Sequence, residues 1–223
     1  MSAALTGCRV IVSAGPTFED LDPVRFIGNR SSGKMGFAVA AAAARAGAEV
    51  VLVAGPVHQA TPVGVQRIDV RSAAQMHAAV FAALPADVYI GAAAIADFTP
   101  RQVAEHKIKK VPGEDGLTLQ LVRTRDLLAD IAASDLRPRL VVGFAAETRD
   151  VDANATAKRI AKGVDLIAAN QVGAPGSGFE GDDNLLVVHD ARGSRQLGPG
   201  PKTTIATELV ALIADRLARE ATQ

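Results

Sequence analysis

Asn29-Arg30-Ser31-Ser32-Gly33-Lys34-Met35-Gly36 runs without a break into the alanine-rich stretch from Phe37 to Ala44. Small polar residues, a cation and two glycines joined to an apolar run describe a polar loop that feeds a helix. The helix is predicted from Gly33 to Arg45, ended by Gly47. Upstream, Arg9-Val10-Ile11-Val12 reads as a buried strand closed by Ala14-Gly15-Pro16. Downstream, Glu49 to Val53 reads as a second strand, closed by Gly55-Pro56. Strand, helix and strand in that order make a βαβ unit and call for a parallel sheet. The helix start has two readings. Its unpaired N–H groups and partial positive charge attract phosphate or carboxylate. A purely structural helix, N-capped by Ser31 or Ser32, uses the same residues.

The alternation continues along the chain. Ile68 to Val70 is a candidate strand. Ser72-Ala73-Ala74-Gln75 matches a capping box and opens a helix reaching Ala83. Val88 to Ala92, Leu140 to Phe144 and Leu166 to Ala169 read as further strands, with a helix from Val151 to Lys162 between the last two. A final helix starts near Thr203 or Thr204, and Ile205, Leu209, Leu212, Ile213 and Leu217 form its apolar stripe. The expected fold is α/β: a Rossmann-like three-layer parallel sheet, with ligands bound at the strand C-terminal ends. Two regions break the pattern and predict added antiparallel strands. Residues 97–125 hold a charged loop and then Leu117 to Val122, which alternates like a half-exposed strand. Residues 184–198 read as a hairpin turning at Asp190-Ala191-Arg192-Gly193. These pieces either extend the sheet or pair with another subunit. No repeat or linker divides residues 1–223, which are expected to form one domain.

Composition narrows the functional classes. Of 223 residues, 48% are hydrophobic, enough for a sizeable core. The 24 basic and 24 acidic residues cancel, which argues against a general nucleic-acid binder. Cys8 is the only cysteine, so an intrachain disulfide and a cysteine zinc site are excluded, and Cys8 itself reads as a core residue. No signal-peptide pattern and no apolar run of about 18 residues occurs, so no membrane association is expected and the cytoplasm is the expected location. His58, His77, His106 and His189 show no metal-ligand spacing.

One nucleotide-binding class, the P-loop NTPase, is rejected by its own motif, and a second, the dinucleotide dehydrogenase, is the least favoured for want of its fingerprint. Gly28 to Lys34 spells G-x-x-x-x-G-K, but Met35 stands where a P-loop needs Ser or Thr for Mg²⁺, and no strand precedes it directly. A dinucleotide dehydrogenase needs its glycine fingerprint after the first strand, where Gly15-Pro16-Thr17-Phe18 stands. It also needs an acidic residue after the second strand, where Ala54-Gly55-Pro56 stands.

Several clusters remain as candidate chemistry. Lys107-Ile108-Lys109-Lys110 puts three lysines within four residues, a solvated basic loop or an anion-binding one. Pro100 and Pro112 bracket it, consistent with a loop that orders over a ligand. Lys158 and Lys162 share a helix face, either solvated or facing phosphates. Asp97 ends the small-residue run from Gly91 and serves either as a loop cap or as a contact to base, ribose or hydrated Mg²⁺. Asn170, Gly176, Gly178 and Asp182-Asp183-Asn184 form a polar, glycine-rich loop that turn chemistry largely explains.

Ala14-Gly15-Pro16-Thr17, Asp22-Pro23-Val24-Arg25, Asn29 to Gly36, Gly55-Pro56, Ala92 to Asp97, Lys107 to Lys110, Val142 to Thr148 and Asp182-Asp183-Asn184 together resemble phosphopantothenoylcysteine synthetase. The resemblance runs in order from Gly7 to Leu217. It implies ligation of (R)-4′-phosphopantothenate to L-cysteine, with CTP as co-substrate and Mg²⁺ accompanying it. The acid is activated as an acyl-cytidylate. An ATP-dependent ligase and a non-catalytic nucleotide-binding partner of a decarboxylase are the alternatives. The resemblance implies that Asn29 and Lys107 are catalytic: Asn29 grips an oxygen of the acyl-cytidylate, and Lys107, on a mobile loop, neutralises the reacting phosphate or acyl oxygen. Arg30, Ser31, Ser32 and Ala94 are implied around the acid. Gly15, Ala92, Ala93, Ala94, Asp97, Phe144, Lys158, Lys162 and the segment Arg125, Asp126, Leu127 and Leu128 are implied around the nucleotide. Where bacterial relatives often show Asn-Pro-Asp-Ile, this chain has Thr124-Arg125-Asp126-Leu127. The resemblance further implies a homodimer, with the 117–122 strand and the hairpin as candidates for its interface. It also implies a flavin-dependent decarboxylase half, which is missing here: the chain is either a cut-out domain or a stand-alone synthetase.

Overall fold

A computed structural model describes residues 4–110, 112–113, 115–147, 151–171 and 181–220. Strands β1 (Arg9–Ala14), β4 (Glu49–Ala54), β5 (Val65–Asp69), β6 (Val88–Gly91), β9 (Leu140–Glu147) and β10 (Leu166–Gln171) lie parallel in one sheet. The antiparallel pair β11 (Asp183–His189) and β12 (Ser194–Pro201) extends it. The order across the sheet is β12-β11-β10-β9-β6-β1-β4-β5. Two short antiparallel pairs stand apart: β2 (Phe18–Asp20) with β3 (Phe26–Gly28), and β7 (Phe98–Pro100) with β8 (Leu121–Arg123). The helices are α1 (Lys34–Arg45), α2 (Ala73–Ala83), α3 (Leu127–Ala132), α4 (Val151–Lys162) and α5 (Lys202–Glu220).

Both faces of the sheet are covered, because successive side chains on a strand point to opposite sides. Val10 and Val12 enter the core shared with α1 and α5, while Ile11 enters the core built with α2, α3 and α4. This is the expected Rossmann-like three-layer arrangement. After β1 the chain builds β4 and β5 on one side, then returns to place β6 on the other. That reversal opens a crevice beyond the C-terminal ends of β1 and β6, the usual ligand position in such sheets.

Several expected elements shift. The third strand is Val65–Asp69 rather than Ile68 to Val70. Of the alternating stretch Leu117 to Val122, only the last two residues join a strand, and Leu117 and Leu119 stay exposed because β7 is too short to pair with them. The hairpin belongs to the main sheet, since Leu186 and Val188 face the α5 side of the core. Neither Ser31 nor Ser32 caps α1. Gly33 is the N-cap, left-handed with φ of 73°, and it makes no side-chain cap hydrogen bond. The capping box at Ser72 and Gln75 forms as expected.

α1 reaches the crevice because Gly36 lets it lie against β1. A Cβ at Gly36 would sit 2.5 Å from Ala14 Cβ and 3.2 Å from Ala14 Cα. Gly36→Ala is therefore expected to lower stability, although alanine is the better helix former by roughly 1 kcal/mol. A strand-rooted Cβ cannot move aside, and overpacking costs about 1–3 kcal/mol. A thermal melt at least 2 °C below wild type checks this; an unchanged or raised Tm refutes the close-packing account.

Candidate active site

Two adjoining clefts occupy the crevice. One, of about 560 Å³, lies over Ser13, Gly91 and Tyr89 and is walled by Arg125, Asp126 and Lys162. The other, of about 430 Å³, lies over Asn29 to Gly36 and reaches Asn170, Asn184 and Lys202. They share Ala93, Ile95, Asp97, Phe144 and Lys158, so a ligand in one meets a ligand in the other along that seam.

Backbone hydrogen bonds build the seam. Ala92 N donates to Ser13 O at 3.0 Å and Ala94 N to Gly15 O at 2.9 Å, so the 92–97 segment extends the β1 edge. Thr17 Oγ1 accepts from Ala96 N at 2.9 Å, and Thr124 Oγ1 donates to Ala96 O at 2.7 Å. Thr124 thus holds this segment through its hydroxyl. The alanines keep the seam narrow in side chain and open to close backbone approach. Asn29 Nδ2 donates to Ala94 O at 3.1 Å and Ile95 O at 3.2 Å, tying the polar loop to the seam. Its amide donors face these carbonyls, so gripping a ligand oxygen means exchanging one such bond.

The second cleft is arranged for anions. The first turn of α1 opens onto it with no side-chain cap from Gly33 and no acidic residue of its own. Lys34, the first residue of α1, and Lys202, the first of α5, also line it. Lys34 Nζ lies 2.7 Å from Asp182 Oδ1, and this bond holds the Asp182 carboxyl below its ordinary range. Lys202 is 5% exposed and bonds Gly181 O; burial, followed by repulsion from Lys34, pulls its ammonium below the usual lysine range, with Asp182 and Asp183 opposing. Asn170 Nδ2 donates to Asn184 Oδ1 at 3.0 Å, while Asn170 Oδ1 is buried with no partner among the described residues. Lys34, Lys202, Asn170 and Asn184 line the cleft from distant elements. In sequence, Asn170 and Asn184 look like turn residues and nothing marks Lys34 or Lys202 as a ligand contact, because no local pattern links β10, β11 and the α5 start. Gly176 and Gly178, and the loop residues 148–150 including Thr148, lie outside the described residues.

In the first cleft, Ser13 Oγ and Tyr89 Oη share a 2.8 Å hydrogen bond in the floor, and burial pushes the Tyr89 phenol well above its ordinary value. Lys158 Nζ donates to Phe144 O at 3.4 Å, and Lys162 pairs with Asp126. Asp126 caps α3 by accepting from Ala129 N at 3.1 Å. Leu127 is buried beneath, and Leu128 fills the space beside Gly143, where a Cβ would lie 2.6 Å from Leu128 Cδ2. Of the residues expected around a nucleotide, Ala93, Asp97, Phe144, Lys158, Lys162 and the segment 125–128 line the first cleft, and Ala92 and Ala94 line the second, whereas Gly15 and Lys107 line neither.

The lysine loop is held rather than loose. Asp22, 1% exposed, accepts from Ile108 N through Oδ2 at 3.1 Å, and Arg25 Nη2 donates to Ile108 O at 3.0 Å. Asp22 Oδ2 also takes Arg25 Nη2 at 2.6 Å. Ile108, next to Lys107, is thus held at both its N–H and its C=O. The Arg25 guanidinium, with backbone N–H groups of Val24, Ile108 and Arg25, holds the Asp22 carboxyl far below the usual carboxylate range. A depressed folded-state value stabilises the protein above the ordinary carboxylate pKa of about 3.9 and loses that stabilisation as pH falls below it. Asp22→Asn should therefore melt below wild type by a constant margin above pH 5, with the margin shrinking as pH falls below about 4. A margin independent of pH would show that Asp22 acts without its charge.

Among the described residues no helix is long and apolar enough to cross a membrane, and no group of three His, Cys, Asp or Glu is placed to hold a metal ion. The family model described as DNA/pantothenate metabolism flavoprotein C-terminal domain matches residues 5–217. A Vibrio cholerae protein named coenzyme A biosynthesis bifunctional protein CoaBC is 48% identical over 214 residues, covering 96% of this chain and 54% of its own. Its Escherichia coli namesake is 53% identical over 181 residues, covering 80% of this chain and 44% of its own. The chain thus spans about half the length of the curated relatives it matches. A crystal structure of the C-terminal domain of a CoaBC protein superposes with a TM-score of 0.82 at 36% identity, covering 98% of this chain and all of that one. The chain belongs to the DNA/pantothenate metabolism flavoprotein C-terminal domain family.

Proposed function

We propose that this chain joins 4′-phosphopantothenate to L-cysteine at the expense of CTP, forming phosphopantothenoylcysteine in coenzyme A biosynthesis. The observation that supports this most is the pair of clefts meeting at the 92–97 seam, which suits an acid and a nucleotide that must react with each other. The names of the relatives point to the same pathway.

An amine cannot displace oxide from a carboxylate, so the acid is first activated. Its carboxylate oxygen bonds to the α-phosphorus of CTP, the bond to the β-phosphate bridging oxygen breaks, and pyrophosphate leaves. The cysteine amine then bonds to the acyl carbon, the acyl C–O bond breaks, and CMP leaves with that oxygen while the amine loses a proton. Positioning and charge neutralisation supply most of the catalysis in such steps. In this reading the α1 start, Lys34 and Lys202 hold anionic groups. Lys158, Lys162 and the segment 125–128 hold the nucleotide, with Asp97 and Phe144 at the seam. Asn29 orients the acyl oxygen, and Lys107 neutralises charge from the clamped loop. In this reading Mg²⁺ enters as the counter-ion that the triphosphate carries.

The same proposal includes a homodimer and a flavin-dependent decarboxylase half beside this one, in a cytoplasmic enzyme. Val24, Phe26, Phe98 and Leu121 leave apolar surface exposed on β2–β3 and β7–β8, which favours that face for the dimer.

Pyrophosphate release tests the reaction, with the acid, Mg²⁺ and either CTP or ATP, with and without cysteine. Release with CTP and little with ATP is expected, with a single-turnover burst when cysteine is omitted. Release with ATP alone would replace the nucleotide. No release from folded protein that binds CTP would leave a non-catalytic nucleotide-binding subunit.

A further inference from the structure

A third cavity, of about 280 Å³, lies outside both clefts, between the β11–β12 turn and the second half of α5. β11 starts beside Asn184 in the second cleft and α5 starts there at Lys202, so this cavity sits at the opposite end of both elements. Arg219 is about 25 Å from Lys202 along the helix, at a rise of about 1.5 Å per residue. Leu166, Val188 and Leu212 give the cavity an apolar floor, and four arginines stand around it: Arg192, Arg195, Arg216 and Arg219. Their placement follows from the elements. Arg195 pairs with Val188 across the strands, and directly opposite residues share a sheet face, so Arg195 points to the α5 side as Val188 does. Leu212, Arg216 and Arg219 are spaced i, i+4, i+7 and form one helix stripe along the cavity.

The acidic residues nearby do not neutralise this charge. Asp190 is occupied by the turn and by one arginine. Its Oδ1 accepts from Arg192 N at 2.6 Å and Gly193 N at 3.0 Å, and its Oδ2 accepts from Arg216 Nη1 at 3.2 Å. Arg216, with a side chain 23% exposed, also has Glu220 Oε1 at 3.5 Å from its Nε. Arg192, Arg195 and Arg219 form no ion pair among the described residues, and Asp215 is the one other acid in the lining. An inward-pointing charge on an edge strand such as β12 deters pairing with another chain, and Arg195 alone would serve that end. That role does not account for Arg216 and Arg219, which face the same space from a helix. Like charges gathered over an apolar floor repel one another. An oxyanion relieves that repulsion, and a guanidinium fork matches its paired oxygens. We propose that this cavity binds a small phosphate ester, with the phosphate among Arg192, Arg195 and Arg219 and the apolar group of the ester on Leu166, Val188 and Leu212. The inference is independent of the proposed function, since no residue of either cleft takes part.

Heteronuclear NMR of the whole chain tests this, with n-butyl phosphate and inorganic phosphate titrated in turn at constant pH and ionic strength. The amide resonances of Gly193, Ser194 and Leu212 should shift and saturate in the millimolar range. n-Butyl phosphate should bind about tenfold more tightly than inorganic phosphate, because each methylene fully removed from water is worth about fourfold. The double variant Arg195→Gln, Arg219→Gln should weaken both probes at these resonances by about tenfold or more, the worth of the charge-assisted contacts removed. Both residues are exposed, so the fold should survive, and resonances from Asn29 to Gly36 that respond as in the wild type check this. Equal affinity for the two probes overturns the ester and its apolar floor, leaving a site for free phosphate. Shifts that grow without saturating, or that persist unchanged in the double variant, overturn the site itself.

Discussion

Asn29→Asp is expected to release pyrophosphate once per site and then stall, with turnover to the cysteine adduct about 10²–10³-fold below wild type. The reason lies in what the side chain holds. The Asn29 amide donates to the Ala94 and Ile95 carbonyls across the seam. A carboxylate cannot donate, so it faces two carbonyl oxygens with no hydrogen between them and adds a negative charge beside a phosphate-bearing intermediate. The first step, driven by the nucleotide's own leaving group, tolerates this better than the second, in which the acyl oxygen must be gripped while the amine attacks. Asn29 is exposed, so the fold should survive. Quenched-flow detection of an acyl-cytidylate that persists after cysteine is added checks the expectation. Wild-type-like turnover would remove Asn29 from the site.

Lys107→Gln should lower kcat by a similar factor while leaving folding and CTP binding close to wild type. Lys107 is exposed and outside both clefts, yet the backbone of the adjoining Ile108 is held by Asp22 and Arg25. A side chain that contributes to the bound ground state would show in the Kd for CTP. One that meets charge only as it develops shows in kcat. Gln keeps the length and polarity but removes the charge, so the variant isolates electrostatics. Unchanged kcat would show that the clamp serves the fold rather than the chemistry. A loss confined to KM would make Lys107 a binding group.

The strand–helix alternation was legible because hydrophobic period and turn residues are local properties. Arg9 to Ser13, Glu49 to Val53 and the helix from Val151 to Lys162 needed no knowledge of partners, and the capping box at Ser72 formed as its spacing implied. Motif resemblance added Asp97, Phe144, Lys158 and Lys162, which the structure gathers at the cleft seam or beside it. Where short-range pattern competed with pairing, it misled. Leu117 to Val122 alternates like a strand, but a strand exists only as far as a neighbour supplies hydrogen bonds, and β7 supplies three residues. Ser31 and Ser32 look like helix caps, but the chain turns left-handed at Gly33 and leaves the helix start open to the cleft.

By itself, then, the amino-acid sequence determined the layers, the sheet type and the end of the sheet where the clefts open, since these follow from periodicity and from the handedness of crossovers. Tertiary structure alone decided which charges meet. Lys202 reaches the α1 start, Asp22 grips a peptide 86 residues away, and Arg216 meets the hairpin turn at Asp190. Such contacts are set by where the sheet and its helices bring remote segments together, a relation that no local pattern encodes.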